Sequence, residues 1–156
     1  MKYIREATKE EISKMFEHLR INLYNEFYWS FFGTDYYNMS ENTNDGYGNK
    51  LMAIIDDSNE CVGLVQISRK VPRSNAVLGF VVYEYVSGRG YGPSSIKETL
   101  DLCKSIGINN ILIDTTSERL KTYYEGFGFE HVGTFKKWGP LPDGKLHDKN
   151  YLQIHL

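Results

Sequence analysis

Residues 81–105 read VVYEYVSGRGYGPSSIKETLDLCKS, and the fold is decided by how this stretch is read. An apolar β-rich run comes first, then a loop holding Gly88, Gly90 and Gly92, then an amphipathic helix expected to start at Pro93. Glycines let a backbone approach a ligand closely, so that its N–H groups can converge on phosphate oxygens. A helix N-terminus adds unpaired donors and the positive end of its dipole. The local reading is a phosphate cradle. A P-loop would need a Lys-Ser/Thr pair after the last glycine, and none follows Gly92. A dinucleotide fingerprint would need a third glycine where Pro93 stands. A tight strand-to-helix turn without a ligand satisfies the same pattern, so the flanking residues have to decide.

Downstream, Ile96, Leu100 and Cys103 line one face of the helix, and Gly107 ends it at the C′ position. Ile108–Thr116 (INNILIDTT) reads as a strand buried on both faces. Ser117 caps a short helix carrying Leu120, Tyr123, Tyr124 and Phe127, ended by Gly128. Phe129–Trp138 and Lys149–Leu156 read as closing strands around a loop with Pro140, Pro142 and Gly144.

Upstream, Ala76–Val86 reads as one long strand feeding the loop, and Leu51–Ile55 with Cys61–Ile67 as a hairpin turning through Asp56–Glu60. Lys2–Ala7 is a short first strand. Thr8-Lys9-Glu10-Glu11 is a capping box opening a helix whose apolar stripe is Ile12, Met15, Phe16, Leu19 and Leu23. A second helical segment runs to Gly33, and 33–50 is a long polar loop with Tyr36, Tyr37 and Tyr47. The order is β-α-α-β-β-β-α-β-α-β-β. The strands flanking the Pro93 helix should be parallel, because a helical crossover joins them.

The 156 residues fit one domain, 41% hydrophobic and 24% charged. A formal charge of -2 gives no reason to expect nucleic acid or a membrane surface as partner. No apolar stretch of about 18 residues occurs, and no apolar core follows Lys2 as a signal peptide requires. Cys61 and Cys103 are spaced neither as metal ligands nor as a nucleophile pair; buried thiols in the cytoplasm are expected, and no metal.

Ser87-Gly88-Arg89-Gly90-Tyr91-Gly92 resembles the acyl-CoA loop of the GNAT N-acetyltransferases, [QR]-x-x-G-x-[GA], with Ser87 in place of Gln/Arg. Gly107–Ile113 (GINNILI) is similar to that family's G-[IV]-x-x-[IL]-x-L. Ser117–Phe129 (SERLKTYYEGFGF) is similar to its N-x-x-A-x-x-[FY]-Y-x-x-x-G-F, with Ser117 replacing Asn. The resemblance implies a single α/β domain over 1–156: a mixed, mostly antiparallel twisted sheet, a central parallel pair splayed at the acyl-CoA site, and helices on both faces.

It also implies transfer of an acetyl group from acetyl-CoA to a primary amine by direct attack. Phe80, Val81 and Val82 would offer backbone to the pantetheine and thioester. Gly88, Arg89, Gly90, Tyr91, Gly92 and Pro93 would hold the pyrophosphate, with Ser117 nearby. Tyr124 matches the general-acid tyrosine. Glu84 and Asp114 are the carboxylates placed for a general base. Trp29, Phe32, Tyr36 and Tyr37 would shape the pocket of a small-molecule or peptide amine. Two other readings stay open: a non-catalytic acyl-CoA sensor on the same fold, and a nucleotide-binding α/β protein. A homodimer through exposed strand edges or the aromatic region is compatible with all three.

Overall fold

The computed structural model describes residues 3–21, 50–86, 88–140 and 144–156. The expected second helical segment and the long loop after it lie outside the described residues.

The elements are β1 (Ile4–Glu6), α1 (Lys9–Ile21), β2 (Lys50–Ile55), β3 (Cys61–Arg69), β4 (Asn75–Val82), α2 (Tyr91–Ser105), β5 (Asn110–Thr115), α3 (Glu118–Glu125), β6 (Glu130–Pro140) and β7 (Leu146–His155). Among the described residues, one seven-stranded sheet runs β1-β2-β3-β4-β5-β7-β6, and its one parallel neighbour pair is β4 with β5. Among the described residues no helix is long and apolar enough to cross a membrane.

Local chemistry explains the elements. Asp56 Oδ1 accepts from the Ser58 and Glu60 N–H groups, both at 2.9 Å, which closes the β2–β3 turn. Thr8 Oγ1 accepts from Glu11 N–H (3.2 Å), as a capping threonine should. The other half of the expected capping box is absent. Glu11 bonds the Arg5 guanidinium instead (2.9 and 3.1 Å), because a cation offers a carboxylate more than a neutral amide does. Gly107 takes φ 84 just past the α2 C-cap, where only glycine is unstrained.

Side chains alternate across the sheet, so the ladder registers assign every strand residue to a face. Leu78, Phe80, Val82, Ile113, Thr115, Asn150 and Leu152 share one face. The α3 helix packs there: Asn150 Nδ2 donates to Glu118 Oε1 (3.3 Å), and α2 lies alongside. Arg5, Ala53, Leu64, Val81, Leu112, Asp114 and Tyr151 share the opposite face, which α1 covers. Ile12, Met15 and Phe16 of α1 are buried, each worth about 1.5–3 kcal/mol relative to exposure.

Two expected boundaries move. The strand read as Ala76–Val86 stops at Val82, and Glu84–Val86 forms a single 3-10 turn closed by Val86 N–H to Tyr83 O (3.1 Å). The reason lies in β3, which begins at Cys61 and leaves no partner backbone beyond Tyr83 N–H, bonded to Val62 O at 2.8 Å. The strand read as buried on both faces, β5, is fully buried only through Ile111, Ile113 and Thr115; Leu112 and Asp114 are partly covered.

Gly63 is where β3 and β4 meet most tightly, since a methyl group there would collide with Val81 O and lie 3.0 Å from Val82 Cα. Gly63→Ala is expected to lower unfolding stability by roughly 1–3 kcal/mol. Gly133→Ala, where an added Cβ meets nothing within 4 Å, should change it by under about 0.5 kcal/mol. Urea unfolding of the two variants beside the parent checks the contrast.

Candidate functional site

The glycine loop begins where β4 runs out of partner. Gly88 (φ 81) and Gly90 (φ 87) both sit in the left-handed region, and an added Cβ at either would meet nothing within 4 Å. Glycine is therefore needed for backbone conformation and not for packing. Gly90 is the N-cap of α2, no side chain caps the helix, and its first turn holds no acidic residue. The helix thus starts at Tyr91, two residues before the expected Pro93, because the left-handed Gly90 already turns the chain into it. Pro93 becomes the third helical residue, still in the turn whose amides have no intrahelical acceptor.

Arg89 N–H is taken up by Val86 O (3.3 Å) and Ser94 N–H by Gly90 O (3.4 Å). The N–H groups of Gly88, Gly90, Tyr91 and Gly92 have no acceptor among the described residues. Arg89 is exposed, and Ser87 lies outside the described residues. Uncapped amides, a positive dipole end and open space above two glycines fit an anionic ligand.

Beside this loop the sheet opens. β4 and β5 pair only at Asn75↔Asn110, Ala76↔Ile111 and Val77↔Leu112. Beyond that, β4 follows β3 as far as Gly63↔Val82, and β5 follows β7 as far as Thr115↔Asn150. A gap therefore separates 78–82 from 113–115. Backbone direction alternates along a strand, and Tyr83 N–H points to β3. Val82 and Phe80 consequently turn their N–H and C=O groups toward the gap. Val81 turns its own toward β3, so its backbone cannot serve the gap, and its side chain is buried core on the α1 face.

The two adjacent tyrosines of α3 part company. Tyr124 is buried, 5% exposed, with its ring against those of Tyr123 (5.8 Å) and Phe129 (6.0 Å). Burial raises its phenol well above the ordinary value, with smaller upward pushes from Tyr123 and from Asp114. It belongs to the helix on one face yet feels a carboxylate standing on the other. Tyr123 faces the loop: a methyl group at Gly92 would lie 3.1 Å from its hydroxyl, and burial pushes that phenol up to about 12. Ser117 caps α3, its Oγ accepting from Leu120 N–H (3.3 Å).

Asp114 stands on the α1 face of β5, largely buried, and Lys149 Nζ lies 3.3 Å from its Oδ1. That approach makes an ion pair, and Oδ1 has no well-formed hydrogen bond among the described residues. Burial raises the Asp114 carboxyl, and the Lys149 charge opposes the rise. Glu84 sits on the 3-10 turn ahead of the loop and not on the strand. The acceptor aromatics Trp29, Phe32, Tyr36 and Tyr37 lie outside the described residues.

Sequence reasoning missed several residues here. Tyr123 is one; its position seven residues before Glu130 says nothing about which face of the short helix meets the loop. Lys149 is another, brought to Asp114 by pairing between strands distant in sequence. Tyr83 is a third, buried with the His18 ring edge-on at 4.9 Å and the Tyr85 ring stacked at 5.5 Å.

No family model matches the sequence, and no curated protein matches it. Solved structures do. A GNAT superfamily phosphinothricin acetyltransferase from Sinorhizobium meliloti, in complex with AcCoA, is similar at TM-score 0.78 and 17% identity over 98% of this chain and 87% of its own. A ribosomal-protein-alanine N-acetyltransferase from Brucella melitensis is similar at TM-score 0.74 and 19% identity over 98% and 99%. The chain has the GNAT fold. A spermidine N-acetyltransferase chimera from Vibrio cholerae and hSSAT is similar at TM-score 0.75 and 17% identity over 97% and 94%. These three are named for unlike acceptors, so the GNAT fold by itself does not choose one.

The cysteines stand apart from this geometry. Burial pushes both thiols up to about 12, although a carbonyl contact from Cys61 Sγ to Gly63 O (3.2 Å) and the Arg69 charge near Cys103 pull the other way. Thiols in that range hold almost no thiolate at neutral pH. Neither cysteine should react appreciably with an aromatic disulfide reagent at pH 8 until the protein is unfolded in denaturant. Colour development before and after denaturation measures this.

Proposed function

We propose that the chain is a cytoplasmic N-acetyltransferase that moves an acetyl group from acetyl-CoA to a primary amine by direct attack. The observation that carries the reading is the uncapped glycine loop opening α2 beside the gap in the parallel pair.

Acetyl-CoA would supply an acyl group already activated as a thioester. The amides of Gly88, Gly90, Tyr91 and Gly92 then hold its pyrophosphate at the α2 N-terminus, with the exposed Arg89 available to a phosphate. Phe80 and Val82 bond the amide-bearing arm as an added strand would, and the Val82 N–H stands where the thioester oxygen gains charge. The reaction poses two proton problems: the acceptor ammonium must lose one, and the departing sulfur must gain one.

Tyr124 suits the second. Its raised phenol stays protonated across physiological pH and is therefore a donor. A carboxylate, Asp114 on the α1 face or Glu84 on the turn ahead of the loop, suits the first. The inert cysteines favour direct attack over an acyl-enzyme.

Calorimetric titration with acetyl-CoA, with ATP and NAD as controls, tests the cradle; selective, saturable heat is expected. Thiol release is then screened over small amines and peptide N-termini. Tyr124→Phe should slow turnover by about 100-fold or more while leaving acetyl-CoA affinity nearly unchanged. Because the phenol is raised, the wild-type rate should show no alkaline limb from this group below about pH 10. Binding without thiol release from any amine would point instead to an acyl-CoA sensor, and no binding at all would leave only the fold.

A further inference from the structure

Asp114, Lys149 and Trp138 form a cluster that the fold alone does not require. Lys149 and Asp114 side chains are 9% and 11% exposed, and Lys149 Nζ also lies 4.5 Å from the centroid of the Trp138 ring. Three strands build it. Asp114 comes from β5. Lys149 comes from β7, one step along from Asn150 and so on the same face as Tyr151, the cross-strand neighbour of Asp114. Trp138 comes from a bulge in β6, where the register slips between Phe135 and Gly139 and Lys137 takes φ 51. Lys137 N–H donates to Asp148 Oδ1 (2.8 Å), which pins that bulge against β7.

Buried ion pairs are poor devices for stability, because desolvation roughly cancels the attraction unless the hydrogen bonding is excellent. Here it is not, with Oδ1 lacking a hydrogen bond among the described residues. What Lys149 does is oppose the burial that raises the Asp114 carboxyl, on the α1 side of the gap and across the sheet from Tyr124.

We propose that Lys149, seated on Trp138, is a positioning residue that holds Asp114 ionised and oriented as the group that takes the proton from the acceptor ammonium. The inference rests on the acetyl-transfer reading. The proton step balances simply: an ammonium N–H bond breaks, an Asp114 O–H bond forms, and the freed amine carries the lone pair that attacks. Lys149 engages Oδ1, leaving Oδ2 to take the proton. The titratable groups facing Asp114 are Lys149 and Tyr151 from β7, and Tyr124 of α3 is felt through the sheet. The α1 helix, over β3, brings Lys14 and His18 to Tyr83. Among the described residues, Lys149 is the cation acting on the carboxyl.

The test follows the Asp114 carboxyl carbon by NMR through a pH titration, assigned with Asp114→Asn, in the wild type, Lys149→Met, Lys149→Gln and Lys149→Arg. Removing the cation while keeping the burial should raise the midpoint by about 1–3 pH units, and Lys149→Arg should restore it. With any amine the wild type accepts, the acid limb of kcat/KM should shift by the same amount in the same direction. Lys149→Gln keeps much of the stem and carries the same reading should Lys149→Met fail to fold. An unmoved midpoint in a folded neutral variant overturns the inference even if amines turn over, as does a moved midpoint with an unmoved acid limb. Absence of thiol release from the wild type overturns the acetyl-transfer reading, whatever the carboxyl does.

Discussion

The parting of β4 from β5 after three paired residues is the constraint on which the rest depends. A parallel pair inside a sheet ordinarily uses every backbone group on the shared edge. Here Phe80 and Val82 turn polar backbone toward a space, and buried N–H and C=O groups left without partners are costly. The opening persists because each strand is held from its other side: β4 by β3 through the close approach at Gly63, β5 by β7 through Thr115 and Asn150. A ligand with an extended, amide-bearing arm could satisfy those groups as a strand would.

The opening also orders the chemistry around it. Since side chains alternate, one face of the sheet receives α2 and α3 with their amides and tyrosines, and the other receives α1 with Asp114 and Lys149. Burial pushes both Tyr124 and Asp114 toward their neutral forms, but only Asp114 has a cation beside it. One desolvating environment thus favours a neutral phenol on one face, while a single lysine opposes the neutralisation of a carboxyl on the other. The glycine loop needs no such tuning. Its donors are backbone amides, which carry no titration and are aimed by the left-handed Gly88 and Gly90.

Much of this was legible in the chain itself. Helix α2 and its C′ glycine, the Ser117 cap, the Asp56 turn and the parallel relation of β4 to β5 follow from residue chemistry at short range, and the structure has them all. The loop was recognisable because a left-handed backbone leaves a mark in the sequence as glycine. What misled was also local. A continuous apolar run to Val86 looks like strand to its end, and only the length of β3 determines where pairing stops.

The sequence by itself determined the order and kind of the described elements, the left-handed glycine loop and the tyrosine pair on α3, because these depend on periodicity, capping and backbone freedom within a few residues. Tertiary structure alone decided that Val81 turns its backbone away from the gap, that Tyr123 meets the loop while Tyr124 is buried, and that Lys149 and Trp138 come to Asp114. The first and last depend on register between strands far apart in the chain, and the second on how α3 packs against the sheet and the α2 N-terminus. A shift of one residue would carry the same side chain to the opposite face.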